Sequence, residues 1–311
     1  MESIVLNKDT KLQYDTSVAL GFFDGIHLGH RMLIETMKKR AKEKKLLSCV
    51  VTFDRHPLTI AFPKYAPMLI LSNEEKVKIL ETMNIEQLVF LKFTEEMMNY
   101  EPTRFVEEIL VGQLNIKHVV VGFNYNFGNK GEGSPQLLRQ LGKEHGFEVE
   151  IVGEYQVERQ TVSSSFIRNL ISTGKVDAVE KYMGRKFSIS GEVIEGKKIG
   201  RQYNFPTANI EVKGNQITPE PGVYYTHVIY KGKEYHALTN VGHNPTFANH
   251  PFRIESYIYN FSEIIYGEKI KVIFYKRIRK EKKFNNINDL FKQVQHDIAT
   301  INEKYVLCSN I

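Results

Sequence analysis

Apolar and polar positions follow two different rhythms in the two halves of the chain. In the first half, short apolar runs alternate with longer segments of helical spacing. Ser17–Phe23, Leu46–Phe53, Glu86–Phe93 and Lys117–Gly122 read as buried strands, and Leu28–Lys45, Asn73–Met83, Thr103–Leu114 and Ser134–His145 as helices between them. In the first helix Leu33, Met37 and Ala41 mark one face, while Lys38, Lys39, Lys42 and Lys45 read as solvated. This alternation predicts an α/β unit with a parallel sheet and helices on both faces. Ligands of such sheets bind beyond the carboxyl ends of the strands. From about Lys186 the rhythm shortens. Phe187–Ile194, Gly222–Tyr230, Glu234–Asn240, Arg253–Tyr259 and Lys269–Tyr275 read as strands, with Lys231-Gly232-Lys233 as a hairpin connection. They predict an all-β unit, an antiparallel barrel, closed by a helix over Asn288–Lys304 whose apolar positions are Leu290, Phe291, Val294 and Ile298. The change of rhythm near Lys181–Lys186 divides the chain into 1–184 and 185–311.

Composition adds little to this but narrows the setting. With 311 residues, two units each have room for a core. No apolar run of about 18 residues marks a membrane span, and Met1–Asp15 lacks the plan of a secretory signal. The two cysteines, Cys49 and Cys308, cannot build a disulfide framework, so a reducing cytoplasm is expected. The net charge of +6 suits phosphate-rich small substrates or nucleic acid. The basic run Lys276, Arg277, Arg279, Lys280, Lys282 and Lys283 reads as a solvated strand end and loop rather than a nucleic-acid surface. Nothing in the sequence fixes an oligomeric state.

The segment with the most chemistry is Gly21-Phe22-Phe23-Asp24-Gly25-Ile26-His27-Leu28-Gly29-His30. A strand runs into a glycine-rich turn and a helix N-terminus, whose unpaired N–H groups and dipole favour an anion. Gly29 lets a nucleotide approach the backbone, and His27 and His30 add donors for charge developing on phosphate.

GFFDGIHLGH resembles the signature of the HxGH nucleotidyltransferases, with their Rossmann-like sheet, and in particular the bacterial bifunctional riboflavin kinase/FAD synthetases. Ser163-Ser164-Ser165-Phe166-Ile167-Arg168 and Pro206-Thr207-Ala208-Asn209 match two further motifs of that family in the same order. The resemblance implies that the first unit joins FMN to the AMP part of ATP and releases pyrophosphate. Gly21, Phe23, Asp24, Gly25, Gly29 and Ser164 would then hold nucleotide, with Asp24 fixing the turn or touching the nucleotide. His27 and His30 would meet the α-phosphate, and Arg168 the β- and γ-phosphates. Ser164 would also cap its helix. Asn124 and Phe127 in Gly122–Gly128, together with His56-Pro57, match the flavin side of the family's site. Phe166 and Arg55 stand where relatives have a basic residue and proline.

In the second half, Gly196 to Asn209 resembles the riboflavin kinase phosphate loop, and the barrel is expected to be riboflavin-kinase-like. Gly196, Gly200, Arg201 and Pro206 would shape the ATP site, with Thr207 and Asn209 as oxygen ligands of Mg²⁺. Glu255 matches the family's catalytic base, which takes the proton of the riboflavin 5′-hydroxyl. Arg279 and Phe284 match a segment flanking the flavin, and Gly242–Phe247 a loop without an evident chemical role. Asn204 stands where relatives have glycine, which predicts a weaker kinase. The expected function is therefore riboflavin to FMN in the barrel and FMN to FAD in the sheet unit. Flavins and ATP are the partners, with no membrane. Three other readings remain open: an FMN adenylyltransferase with a degenerate kinase, an HxGH cytidylyl- or adenylyltransferase for another phosphate, and a flavin-sensing RNA- or partner-binding protein.

Overall fold

The apolar runs of the first half form a sheet in which every pairing is parallel. The computed structural model describes residues 1–196, 205–212, 214–243 and 252–306. The sheet is built from β1 (Glu2–Leu6), β2 (Thr16–Leu20), β3 (Leu47–Phe53), β4 (Gln87–Leu91), β5 (Ile116–Gly122) and β6 (Glu148–Val152). Their order is β1-β4-β3-β2-β5-β6. Every residue of β2 and of β4 is buried, as expected for strands covered on both faces. From β2 the chain builds outward through β3 to β4, then crosses back to lay β5 on the other side. This reversal beside β2 is the switch point at which open parallel sheets bind ligands.

Helix α1 (Leu28–Lys44) lays Leu33, Ile34, Met37 and Ala41 against β2, β3 and β5. Helix α2 (Asn73–Glu81) opens on a capping box between Ser72 and Glu75. Helix α3 (Pro135–His145) is capped by Ser134, whose hydroxyl accepts from the Leu137 N–H. Three expectations are corrected. Phe22 and Phe23 leave the strand and form the turn. The helix expected over Thr103–Leu114 winds as a π-helix over Phe105–Gln113, where Gly112 lets the Glu107 carbonyl approach. The edge strands β1 and β6 carry mostly exposed or half-buried residues and so lack a continuous apolar run. A short ribbon, β7 (Gln156–Val157) with β8 (Gln160–Thr161), follows the sheet.

Two compact units divide the chain, Met1–Ser164 and Ser165–Ile311. Helix α4 (Ser164–Ser172) begins at that division, ahead of the 184/185 division read from the change of rhythm. Helix α5 (Val176–Met183) belongs with the barrel: Asp177 pairs with Lys276, and Gly174 packs against Arg277 and the Tyr224 hydroxyl. The second unit is a closed barrel, β10-β13-β12-β11-β14-β9. Its strands are β9 (Ser188–Ile194), β10 (Thr207–Ile210), β11 (Gly222–Tyr230), β12 (Lys233–Gly242), β13 (Arg253–Ile258) and β14 (Lys269–Lys280). Lys231 and Gly232, both at positive φ, make the tight β11–β12 turn. Helix α6 (Ile287–Ile301) closes the unit. It places Val294, Ile298 and Ile301 on Val223, Tyr225 and Leu238 of the barrel.

The basic run is a strand end and loop, as read: Lys276, Arg277, Arg279 and Lys280 lie on β14, which extends past the expected Tyr275, and Lys282 and Lys283 follow it. Three of these cations are paired within their own unit: Lys276 with Asp177, Arg277 with Glu220 at 2.6 Å, and Arg279 with Asp297 at 2.9 Å.

Candidate active sites

The first site grows out of the carboxyl end of β2. Three residues of the turn have left-handed backbone: Phe23 (φ 54°), Gly25 (φ 83°) and Ile26 (φ 38°). Glycine meets that demand freely at 25, where a Cβ would also press to 3.1 Å from Ile70. Phenylalanine and isoleucine do not, so the turn stores strain. Polar braces hold it. The Asp24 carboxylate accepts from the N–H groups of Ile70 (2.9 Å) and Leu71 (3.2 Å), and the Ser164 hydroxyl donates to the Asp24 carbonyl at 2.9 Å. Asp24 is buried and braces the turn from the interior. Phe23 is buried. Ser164 is the first residue of α4, and its hydroxyl proton goes to the turn.

His27 is the N-cap of α1, and its Nδ1 accepts the His30 backbone N–H at 3.2 Å. That bond puts the proton of a neutral His27 ring on Nε2. The His30 ring stacks on His27 at 3.6 Å, and the Phe23 ring meets His30 edge-on. A Cβ at Gly29 would lie 3.3 Å from the His27 ring, and one at Gly21 3.2 Å from the Phe23 ring, so both glycines make room for the cluster. The structure thus gathers Gly21, Phe23, Asp24, Gly25, His27, Gly29, His30 and Ser164 about one turn. Arg168 stands one turn along α4, half-buried, in the second unit.

Of the residues expected on the flavin side, His56 packs against the Phe22 ring, with centroids 4.7 Å apart, and leads through Pro57 into a short helix at Leu58–Ala61. Asn124 is exposed on the loop after β5. Phe127 is corrected: its ring is buried between Phe105 and Tyr125, in the core. The exposed aromatic of that loop is Phe123.

Sequence reasoning missed Lys76. It is only 1 % exposed, and its Nζ donates to the Phe22 carbonyl at 2.9 Å and to Thr52 Oγ1 at 3.3 Å. Its i+4 spacing to the buried Leu80 was the signal for an inward position.

The second site is assembled by strand register. Asn209 on β10 lies directly opposite Glu255 on β13, and Thr207 opposite Tyr257. Directly paired residues share a face of the sheet, so Thr207, Asn209 and Glu255 stand side by side. Glu255 is flanked on its other side by Asn240 of β12. Inward residues Ile254, Ser256 and Ile258 alternate with this set and are buried. Gly196 is where a side chain would collide with the Asn209 carboxamide. Pro206 is exposed at the entrance to β10, where Phe205 stacks on Phe291 of α6 at 5.4 Å. Arg279 is held by the buried Asp297 and lies 5.9 Å from the Phe284 ring. Gly200, Arg201 and Asn204 lie outside the described residues, as do Asn244 to Phe247 of the loop that follows Gly242.

A braced turn at a helix N-terminus on a parallel sheet and an oxygen-lined strand pair on a closed barrel suit an enzyme of nucleotide-dependent group transfer. The family model described as FAD synthetase matches residues 9–166, and that described as riboflavin kinase matches residues 183–305. The bifunctional riboflavin kinase/FMN adenylyltransferase of Buchnera aphidicola (from Schizaphis graminum) is 33% identical over 301 residues, 96% of each chain. The enzyme of the same description from Bacillus subtilis is 36% identical over 291 residues, 92% of this chain and 91% of its own. A solved Streptococcus pneumoniae structure, described as a macrolide-efflux protein, superposes with a TM-score of 0.87 at 31% identity, covering 97% of this chain and 99% of its own. That description belongs to that protein; among the described residues here, no helix is long and apolar enough to cross a membrane. The chain belongs to the bifunctional riboflavin kinase/FMN adenylyltransferase family.

Proposed function

We propose that the sheet unit adenylylates FMN and the barrel phosphorylates riboflavin, each with ATP. In the first reaction a phosphate oxygen of FMN attacks the α-phosphorus of ATP. The bond from that phosphorus to the bridging oxygen breaks, and pyrophosphate leaves. Two anions must meet, so catalysis is positioning and neutralisation. His27 Nε2–H and the His30 ring, fixed by their stacking, serve the α-phosphate, with the turn and the α1 N-terminus around it. Arg168 serves the leaving pyrophosphate through planar bidentate contacts. His56, Pro57 and Asn124 line the flavin side, with Phe123 in the role expected of Phe127.

In the barrel the riboflavin 5′-hydroxyl attacks the γ-phosphorus, Glu255 takes its proton, and ADP leaves. The residues present fit Mg²⁺. The Asn209 carboxamide oxygen is buried without a hydrogen-bond partner among the described residues, and a neutral hard oxygen suits that ion. Bound there with Thr207, Mg²⁺ would neutralise charge on the transferring phosphates. Arg279 and Phe284 flank the flavin, and Gly200 and Arg201 the phosphates. The chain's substrates, ATP and flavins, are those of a cytoplasmic enzyme, and the family-model matches over 9–166 and 183–305 support functional units of 1–184 and 185–311.

The observation that carries the reading is the register that sets Glu255 beside Asn209. The test offers the purified chain riboflavin or FMN with ATP and Mg²⁺ and separates the flavins. FMN should give FAD, and riboflavin should give FMN and then FAD. No new flavin from either substrate overturns the reading.

A further inference from the structure

Lys76 is a cation placed where a surface helix would bury an apolar side chain. Beyond its bonds to Phe22 and Thr52, its Nζ lies 4.3 Å from the centre of the Phe22 ring. The Phe22 carbonyl also accepts from Thr52 Oγ1 at 2.9 Å. Two donors therefore hold one peptide, the one that leads into the left-handed Phe23. All described peptides are trans, so the N–H of that peptide points opposite to its carbonyl, away from Lys76. Phe23 N–H makes no hydrogen bond among the described residues. A backbone N–H inside a fold without a protein acceptor is rare, and this one sits in the turn that leads into His27 and His30.

Burying an ammonium opposes folding unless it is well compensated. Burial pushes Lys76 down to about 8, and the charge of Asp24 works against that fall. A methionine would fill the space without the penalty. A charge-assisted hydrogen bond is about twice as strong as a neutral one. It also polarises the peptide it holds, which makes the N–H at the other end a better donor.

We propose that Lys76 is a positioning residue for adenylyl transfer: through the Phe22 carbonyl, its ammonium aims and polarises the Phe23 N–H toward the phosphate that the histidines serve. This rests on the sheet unit being the adenylyltransferase. Lys76 touches no substrate; it acts through one peptide, braced on the other side of Phe23 by Asp24 and the Ile70 and Leu71 amides.

The test measures FAD formation from FMN in full-length Lys76→Met and Lys76→Gln, with riboflavin phosphorylation by the same molecules as an internal control. Misplacing a reacting group by about 1 Å costs roughly a hundredfold. Lys76→Met should accordingly lose about tenfold to a hundredfold in kcat, with KM for FMN and ATP within about twofold and the kinase rate unchanged. Lys76→Gln, which keeps a donor but not the charge, should fall between Met and wild type. A wild-type kcat in the Met variant, or a loss carried by KM alone, overturns the proposal. If the Met variant unfolds, the Gln variant decides: a kcat equal to wild type overturns it, and a reduced kcat at unchanged KM sustains it. Wild type that makes no FAD removes the adenylyltransferase reading itself and the proposal with it.

Discussion

The two proposed sites address one problem, bringing an anionic phosphate to an attacking oxygen, by opposite structural means. The first is local. Its parts lie almost wholly within Gly21–His30, and its geometry is a strained turn held by Asp24, Ser164, Thr52 and Lys76. The second is distributed. Thr207, Asn209 and Glu255 come together only because β10 and β13 pair in one register. A local site depends on its braces and should fail by small displacements of the backbone. A distributed site depends on pairing and should tolerate side-chain changes that leave the register intact.

That contrast can be broken first at Glu255. Glu255→Gln keeps the shape but cannot take the hydroxyl proton. Loss of a general base is worth about 10²–10⁴ in rate, so riboflavin phosphorylation should fall by that factor with FAD formation from FMN unchanged. Equal kinase rates would remove Glu255 as the base. His30→Ala is the mirror experiment. FAD formation should drop roughly 10²–10³-fold, with the kinase untouched; near-normal FAD synthesis would displace the site from this turn.

A smaller effect sharpens the comparison at Asn204, where the family resemblance leads one to expect glycine. A glycine lets phosphate approach the backbone more closely than asparagine does, so Asn204→Gly should raise riboflavin phosphorylation by about tenfold and leave FAD synthesis alone. Steady-state kinetics with riboflavin decides it, and an unchanged rate would show that asparagine is accommodated.

The smallest effect concerns stability and only the sheet unit. His118 is buried, with Nδ1 2.9 Å from Ser17 Oγ. Burial holds its ring below the ordinary range, while Glu150 and Glu148 pull the other way. An unfolded histidine takes up its proton near about pH 6.5, and the folded one resists until lower pH. Stability is therefore unaffected by this ring above about pH 6.5 and falls as pH drops below it. His118→Gln should remove part of that loss. Urea midpoints at about pH 7.5 and about pH 5.5 check it; an identical drop in both proteins would clear His118 of the effect.

How much was legible depended on where each residue's partners lie. The central strands announced themselves because burial on both faces demands continuous apolar runs, as in β2 and β4. The edges β1 and β6 did not, since one flank of each is open and their residues are mixed. The HxGH turn was readable as an anion site because its chemistry is contiguous. Its bracing was legible only in part: Asp24 could be read as fixing the turn, but its partners, the Ile70 and Leu71 amides, and the inward Lys76 of α2 are remote in sequence. Phe127 shows the same limit, an aromatic in a glycine-rich loop that the fold spends on its core. In the barrel, the residue types of the kinase site were visible, but their adjacency belongs to strand pairing. The β14 cations looked solvated because Asp177, Glu220 and Asp297 are remote in sequence.

Helix α6 ties the far end of the chain to the chemistry. Phe291 stacks on Phe205, next to Pro206 and Thr207, and Asp297 holds Arg279. In genetic terms, a stop codon just before this helix would leave every proposed catalytic side chain encoded. It would nevertheless remove the supports of two segments of the kinase site. Such an allele would make FAD from supplied FMN yet fail to make FMN from riboflavin. Its defect would therefore be relieved by a separate source of FMN.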